Sequence, residues 1–133
     1  VMEADGVPVG TIGLLEIDRK NSKAEYYVAM GEPSYKGKGV AKEASRLILQ
    51  YGFEELGLNR IYLFTEIDNI AAQKLFERVG FKKEGIIRQD IISHGKYVDR
   101  VTYGYLKELK KYGYVIRKQG RNSLEACLGR AFP

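Results

Sequence analysis

The sequence contains little cysteine or histidine, and each shortage weakens the case for a class of protein. Its 133 residues include one cysteine, one histidine and no tryptophan. A single cysteine, Cys127, cannot form a disulfide within the chain, and this favours a cytoplasmic location. One cysteine, one histidine and scattered carboxylates do not make a ligand cluster, so we expect no bound metal.

Long apolar segments are also absent. No run approaches the ~18 apolar residues of a membrane-spanning helix, and the opening VMEADGVPVG lacks the basic region and apolar core of a signal peptide. We therefore expect no membrane partner. With 44% hydrophobic and 29% charged residues, the composition is typical of a globular protein. We expect one domain at residues 1–110, followed by a tail of unknown role at residues 111–133.

The net charge of +5 favours an anionic ligand, although many soluble domains carry as much. Nucleic-acid binding has only this charge in its favour. The tyrosines on the predicted strands do not form a stacking platform with interleaved arginines. A basic nucleic-acid-binding module is therefore the third-ranked functional hypothesis, and we expect no nucleic-acid partner.

The first third of the chain has the pattern of β-strands. VMEAD and PVGTIGLLEI flank a turn at Asp5-Gly6, and AEYYVAM, residues 24–30, forms a third strand. Later, RIYLFTEI, residues 60–67, fits a central strand, and two further strands are joined by a turn at His94-Gly95-Lys96. The expected sheet is mixed and largely antiparallel.

Two helices interrupt these strands. The first begins near Val40 and ends near residue 56, and the second is capped by Asn69 and ended by Gly80. The apolar face of the first helix is predicted from helical spacing to comprise Val40, Ala44, Leu47, Ile48 and Tyr51. The order β-β-β-α-β-α-β-β predicts an α/β fold in which strands 24–30 and 61–67 are parallel neighbours. In the tail, NSLEACLG is compatible with a short helical turn.

The stretch YKGKGVAKEA places two glycines, each preceded by a lysine, where the third strand meets the first helix. Without side chains, Gly37 and Gly39 let a phosphate approach backbone N–H groups at a helix N-terminus. The helix dipole adds about half a positive charge there, and Lys36, Lys38 and Lys42 add whole charges. The pattern favours a di- or polyphosphate ligand, although a Gly-x-Gly at a helix start is often only a tight turn.

Two better-known phosphate motifs do not fit this turn. A P-loop needs Gly-Lys-Ser/Thr after four intervening residues, and Val40 stands where its hydroxyl is sought. A dinucleotide fingerprint needs a third glycine at the position of Lys42.

Two segments resemble motifs of the GNAT superfamily of N-acetyltransferases. YKGKGVAKEA is similar to the superfamily's acetyl-CoA pyrophosphate loop, and NIAAQKLFERVGFKKEG, residues 69–85, is similar to its second motif. The two occur in the superfamily's order with one strand between them. GKYVDRVTYGYL resembles the branch that includes ribosomal-protein alanine and spermidine N-acetyltransferases. The resemblance covers roughly residues 1–110.

The resemblance implies a V-shaped splay between strands 24–30 and 61–67, into which the pantetheine arm of acetyl-CoA, the implied co-substrate, inserts. Backbone groups at positions 28–30 would pair with the pantetheine amides, and the amides of residues 37–41 would hold the pyrophosphate. The implied cofactor-binding residues are Val28, Ala29, Met30, Lys36, Gly37, Lys38, Gly39, Val40, Ala41, Asn69 and Phe76. Capping alone also explains Asn69, and core packing also explains Phe76.

The sequence departs from the superfamily's pattern at several points. Ser34 stands where glutamine or arginine is usual, and Lys36 stands where arginine is common. Phe76 replaces a tyrosine that in many members protonates the departing thiolate. The superfamily's first strand and the helical pair after it have no counterpart before Val1, so the N-terminal part of the fold is expected to be missing.

Direct attack of an amine on the thioester needs a base and a donor for the developing oxyanion. We predict Glu66 as the base, against the alternative of a solvated carboxylate at a strand end. Tyr103 is the candidate proton donor, with Tyr105 on the same strand face, against a structural role. His94 is expected to be a turn residue rather than a catalyst. A backbone N–H beside Met30 is the candidate oxyanion donor.

The leading functional hypothesis is an acetyl-CoA-dependent N-acetyltransferase that acts on a small-molecule or peptide primary amine. The alternative is a non-catalytic acyl-CoA-binding or partner-binding domain, favoured by Phe76 and the missing front end. The sequence leaves the oligomeric state open, and a homodimer would form through the last hairpin or the tail.

Overall fold

A computed structural model describes residues 1–31 and 39–107, and the backbone of two further strands at 114–118 and 124–128. The first helix continues as a π-helical segment, Tyr51–Glu55. The other elements, in chain order, are β1 (Met2–Ala4), β2 (Val7–Asp18), β3 (Lys23–Met30), α1 (Val40–Gln50), β4 (Arg60–Glu66), α2 (Ile70–Val79), β5 (Lys82–Ser93), β6 (Lys96–Leu106), β7 (Tyr114–Lys118) and β8 (Leu124–Leu128). The predicted order is confirmed from β1 to β6.

Six strands form one sheet in the order β1-β2-β3-β4-β6-β5. Only β3 and β4 are parallel, and every other neighbouring pair in this sheet is antiparallel. The predicted mixed, largely antiparallel α/β fold is therefore confirmed. None of the helices in the described part of the chain is long and apolar enough to span a membrane.

The tail differs from the expected helical turn. Strands β7 and β8 pair antiparallel as a separate two-stranded sheet, with register from Tyr114↔Leu128 to Lys118↔Leu124. The prediction of helix in NSLEACLG was wrong because a short apolar run fits a strand equally well. Pairing with β7 makes this run a strand rather than a helix.

Both predicted hairpin turns are present. Asp5 and Gly6 have φ angles of 53° and 77°, and His94 and Gly95 have 52° and 77°. Positive φ at both central residues matches the right-handed twist of the flanking strands, and Asp-Gly is a preferred pair for it. The interpretation of His94 as a turn residue is confirmed.

Both helices cover the same face of the sheet, here called the helix face. Along β4, Ile61, Leu63 and Thr65 are buried, whereas the residues between them are half-buried. The opposite side, here called the open face, carries those alternate residues. The core on the helix face contains an aromatic cluster in which Phe76 of α2 contacts Tyr26, Phe81 and Tyr103 edge-on.

The predicted apolar face of α1 was wrong by about one residue. The buried residues are Ser45, Leu49, Gly52 and Phe53, while Leu47 is 60% and Tyr51 is 52% exposed. Ser45 can be buried because its Oγ donates to the Ala41 carbonyl and receives the hydroxyl of Tyr26 from β3. A hydroxyl with both partners supplied costs little to bury, and hydrophobic spacing cannot reveal that.

Four residues of the predicted apolar face of α1 line a cavity of about 550 Å³ beside β1 and β2. Met2 and Ile12 contribute from the strands, and Val40, Ala44, Leu47 and Ile48 contribute from the helix. Gly39, at the start of α1, also reaches this cavity.

Candidate functional site

The parallel strands β3 and β4 pair over only a part of their length. Their register runs Lys23↔Arg60, Ala24↔Ile61 and Glu25↔Tyr62. Beyond that point, β3 continues to Met30 and β4 to Glu66, and no further pair joins the two strands in the described residues. Each strand remains paired with its other neighbour, up to Gly10↔Met30 and Glu66↔Arg100. The predicted splay is therefore present, and it opens toward the ends of both strands.

The unpaired part of β3 contains Val28, Ala29 and Met30, the residues predicted to pair with pantetheine amides. Backbone N–H and C=O groups on the β4 side of this segment lie along the gap rather than in a ladder. Such groups need hydrogen-bond partners, and an extended ligand that carries amides can supply them as an added strand. Contact of these residues with acetyl-CoA remains a prediction.

Gly39 is the N-cap residue of α1, which begins at Val40. Gly39 has φ 81° and ψ 4°, a left-handed conformation that favours glycine. It has no side chain to cap the N–H groups of Val40 and Ala41, which form the first turn with Lys42. Lys36, Gly37 and Lys38 lie outside the described residues, so the predicted loop is represented here only by its last part.

Asn69 caps α2, as predicted. Its Oδ1 accepts a hydrogen bond of 3.1 Å from the backbone N–H of Ala72, and its own N–H donates to the Glu66 carbonyl at 3.0 Å. Gln73 donates to the Ile67 carbonyl at 2.7 Å and fixes the same turn. Capping accounts for Asn69 at this position, and a contact with a cofactor remains a prediction.

Phe76 is buried in the aromatic cluster. Its ring lies 5.8 Å from that of Tyr26 and 6.1 Å from those of Phe81 and Tyr103, measured between centroids. These contacts account for an apolar residue on this face of α2, and a cofactor contact by Phe76 stays untested.

Tyr103 lies on the helix face of β6 and is fully buried. Its hydroxyl donates a hydrogen bond of 2.8 Å to Oε2 of Glu77. Burial, followed by the hydrogen bond and negative charge of Glu77, raises the pKa of Tyr103 to about 12. Its neighbour Tyr105 packs against Phe53 and Phe81 on the same face. This environment favours a structural role for Tyr103, and its role as a proton donor remains a prediction.

Glu66 is half-buried at the end of β4, on the open face. Its carboxylate has no hydrogen-bond or ion-pair partner within the described residues. The cross-strand neighbour, Arg100, forms an ion pair of 2.6 Å with Asp90, and its guanidinium lies 4.6 Å from the ring centre of Phe64. Arg100 is therefore already engaged, and the carboxylate of Glu66 is available to a ligand from the open face.

Sequence reasoning missed a group of residues at the closed end of the splay on the open face. Glu25 and Tyr62 form the last pair of β3 and β4, and Tyr27 follows on β3 with 40% of its surface exposed. Burial raises the pKa of Tyr62, and the carboxylates of Glu25 and Glu16 raise it further. The alternation in AEYYVAM places Tyr26 and Tyr27 on opposite faces, but only the register shows where pairing stops.

Comparison with known proteins identifies the family. Residues 1–82 match the family model described as an acetyltransferase (GNAT) domain. The chain is 32% identical over 123 residues to spermidine N(1)-acetyltransferase of Escherichia coli (strain K12), covering 89% of this chain and 66% of that protein. It is 37% identical over 105 residues to the putative ribosomal N-acetyltransferase YdaF of Bacillus subtilis (strain 168), covering 77% and 56%.

Solved structures agree with the sequence comparisons. A crystal structure of a probable acetyltransferase superposes with a TM-score of 0.73 at 36% identity, covering 77% of this chain and 58% of that one. A mutant of the spermidine N-acetyltransferase SpeG from Vibrio cholerae gives 0.74 at 31% identity, covering 80% and 62%. The chain belongs to the GNAT acetyltransferase family, and it spans 56% to 66% of the length of these four relatives.

Proposed function

We propose that this protein is an N-acetyltransferase that transfers acetyl from acetyl-CoA to a primary amine by direct attack on the thioester. The observation that carries the proposal is the splay, in which β3 and β4 part after Glu25↔Tyr62 while both strands continue. A gap inside a continuous sheet leaves backbone groups unpaired at a place that a ligand can reach from either face of the sheet.

Acetyl-CoA fits this gap in two respects. Its pantetheine arm carries amides that can hydrogen-bond to the free edge of β3 at positions 28–30. Its phosphates suit the N-terminus of α1, where Gly39, Val40 and Ala41 present backbone N–H groups and Lys42 adds a positive charge. Both features lie toward the wide end of the splay.

The reaction needs the amine in its neutral form. In the proposed step, the amine nitrogen forms a bond to the thioester carbonyl carbon, and the carbon–sulfur bond then breaks to release the CoA thiolate. Glu66 accepts the proton of the amine, directly or through water, because it is the carboxylate on the open face at the end of β4. A backbone N–H beside Met30 stabilises the oxyanion.

A thiolate is a fairly good leaving group, so its departure depends less on a general acid than that of a poorer leaving group does. Phe76 cannot donate one, and the Tyr103 hydroxyl is buried and engaged with Glu77. We therefore assign the proton source to solvent first and to Tyr103 second. For the acceptor, the names of the relatives suggest spermidine or an amine of the ribosome as the first amines to test.

The first experiment titrates acetyl-CoA into the protein by calorimetry, beside a folded Gly37→Glu, Gly39→Glu variant. The proposal expects binding by the parent protein and loss of binding in the variant, because carboxylates and side-chain bulk would occupy the phosphate site. An assay of thiol release with spermidine, and with a short basic peptide that has a free N-terminus, then tests catalysis. A parent protein that does not bind acetyl-CoA would contradict the proposal.

The role of Glu66 has its own variant. Glu66→Gln keeps the size of the side chain and removes the base, so kcat should fall by about 10²- to 10⁴-fold. Acetyl-CoA affinity should be unchanged, because the substitution lies on the face opposite the helices. An unchanged kcat would show that Glu66 is a solvated carboxylate.

A non-catalytic acyl-CoA-binding domain is the second candidate, supported by the lack of a hydroxyl at Phe76 and the burial of Tyr103. It predicts the same calorimetric binding and the same loss in the glycine variant. It also predicts no thiol release with any amine, so the second assay separates the two functions.

A further inference from the structure

Glu66 and Arg100, both in the described part of the chain, lie opposite each other on the open face without forming an ion pair. They are direct partners in the antiparallel pairing of β4 and β6, which places their Cβ atoms about 5 Å apart. Opposite charges at such positions normally attract each other. The guanidinium of Arg100 instead contacts Asp90 and the ring of Phe64. The ion pair that the register favours is therefore replaced by another.

Asp90 holds Arg100 through two contacts to one carboxylate oxygen. Its Oδ2 accepts a hydrogen bond of 2.7 Å from Nε of Arg100 and lies 2.6 Å from Nη2. The guanidinium also lies 4.6 Å from the ring centre of Phe64, which precedes Glu66 on the same face of β4. The two charged side chains are 29% and 28% exposed, so water shields the pair only in part. A charge-assisted contact that uses two nitrogens fixes the direction of the guanidinium.

A bulge in β5 brings Asp90 to this position. Residues 88–90 of β5 stand opposite the single residue Asp99 of β6. Within the bulge, Gln89 has a φ angle of 51°, and its N–H donates to Oδ1 of Asp99 at 2.7 Å. Bulges change the direction of side chains and are common next to active sites. This bulge supplies a carboxylate of the edge strand to Arg100 on the neighbouring strand.

Without the carboxylate of Asp90, the register offers Glu66 to Arg100 as the next partner. A carboxylate paired with arginine is held in its ionised form, so it is a weaker base. Its oxygens are also occupied by the guanidinium donors. A Glu66 engaged in this way would not accept a proton from an amine.

We propose that Asp90 is a positioning residue that holds Arg100 away from Glu66, so that the carboxylate assigned as the base stays unpaired. The inference rests on the proposed function, because it concerns the base of that reaction. Asp90 contacts no reacting atom and acts only through Arg100. The bulge of β5, which lies outside the splay, thereby contributes to the reaction.

Asp90→Ala tests the positioning. Ion pairs with this exposure add little to stability, so the variant is expected to fold. In its crystal structure, a guanidinium nitrogen of Arg100 should lie within about 4 Å of a carboxylate oxygen of Glu66. In thiol-release assays with spermidine or the basic peptide, kcat should fall by about 10- to 100-fold, while the KM for acetyl-CoA stays unchanged.

A second substitution separates this role from general damage to the sheet. Adding Arg100→Gln to Asp90→Ala removes the charge that would engage Glu66, so kcat should return to near the parent value. Arg100→Gln alone should also leave kcat near the parent value. If the Asp90–Arg100 pair were needed only for the structure of the sheet, each single variant would lose activity and the double variant would not recover it.

Glu84→Ala is the matched control. Glu84 lies on the same strand as Asp90, and it pairs with Arg60 at 2.6 Å with similar exposure of both side chains. Arg60 is the first residue of β4 and Glu66 is the last, so a released Arg60 would not reach the proposed base. The control should keep the parent kcat.

The outcomes distinguish the two proposals. An Arg100 that stays away from Glu66 in the crystal structure of Asp90→Ala, an unchanged kcat in that variant, or a kcat that Arg100→Gln does not restore would overturn the positioning role. Binding of acetyl-CoA without thiol release by the parent protein would contradict the proposed function and the catalytic part of this inference. The crystal structure would then still decide whether Asp90 determines the position of Arg100.

Discussion

At the scale of single residues, the local roles are those that the sequence predicts best. Asn69 as a helix cap, Gly80 as a helix end and His94-Gly95 as a turn depend on neighbours within four positions, and all three are present. Ser45 is the opposite case. Its burial depends on Tyr26, 19 positions away, and no local pattern contains that information.

Asn69 has two proposed roles that respond differently to substitution. Asn69→Ala removes the oxygen that accepts from Ala72, so the free energy of unfolding should fall by about 1 kcal/mol in denaturant titrations. Asn69→Asp retains a capping oxygen and should keep that stability. If Asn69 also contacts the cofactor, acetyl-CoA affinity should fall in both variants, including Asn69→Asp, whose stability is retained. Unchanged affinity in Asn69→Asp would leave capping as the only role of Asn69.

Tyr103 gives a prediction at alkaline pH. Its pKa in the folded protein, about 12, exceeds the value of 10.0 for an unperturbed phenol. The folded state therefore keeps its proton more firmly, and the associated stability is complete below pH 10 and is lost as the pH rises from 10 toward 12. In Tyr103→Phe, the free energy of unfolding should decline less over this range than in the parent protein.

The same variant tests catalysis. Tyr103→Phe should retain the thiol-release activity if the phenol is structural, and it should lower kcat if the phenol donates a proton. Equal slopes of stability against pH in the two proteins would show that the Tyr103 hydroxyl is not held as the structure indicates.

At the scale of elements, α1 is attached to β3 by a pair of buried hydroxyls. The Tyr26 and Ser45 oxygens are 2.5 Å apart, and the Ser45 hydroxyl donates a hydrogen bond of 2.6 Å to the Ala41 carbonyl. Burial raises the pKa of Tyr26, so the phenol stays protonated and donates. The contact requires Ser45 to face Tyr26, and Ser45 and Leu49 are the buried residues of α1. The apolar spacing alone predicted the wrong face because it treats Ser45 as a surface residue.

A double-mutant cycle measures this attachment. Ser45→Ala leaves the Tyr26 hydroxyl buried without its acceptor, so the free energy of unfolding should fall by about 1–3 kcal/mol. Adding Tyr26→Phe removes the stranded hydroxyl and should recover part of that loss. Chemical denaturation of the four proteins checks the cycle, and strictly additive effects would mean that the two hydroxyls do not interact.

At the scale of the whole molecule, the sequence predicted the order of the elements and the parallel pair, because both follow from the alternation of strands and helices. It did not predict which residues line the open face at the splay. That depends on the register of β3 against β4, and Glu25↔Tyr62 as the last pair has no signature in either strand. The resemblance to the GNAT superfamily predicted that β3 and β4 separate, and only the structure shows at which residues they do.

The proposed co-substrate should stabilise the folded protein as a whole. At about 100 times its dissociation constant, acetyl-CoA should add about 2.7 kcal/mol to the free energy of unfolding, because it binds only the folded state. With a net charge of +5 and an anionic ligand, part of this gain should be lost at high salt. Pantetheine, which lacks the phosphates, is the control whose effect should be insensitive to salt. Stabilisation by acetyl-CoA that is equally insensitive would contradict a phosphate site at α1.

The early end of the β3–β4 pairing has a mechanical consequence. The sheet consists of two halves, β1-β2-β3 and β4-β6-β5, which pair with each other only along the first part of β3 and β4. Phe76 links the two halves on the helix face, since its ring contacts Tyr26 of β3 and Tyr103 of β6. An extended ligand that hydrogen-bonded to both β3 and β4 in the gap would connect the two halves at the end where the strands are unpaired. The protein would then be most rigid with such a ligand bound, and the amide protons of Val28–Met30 should exchange most slowly in that state.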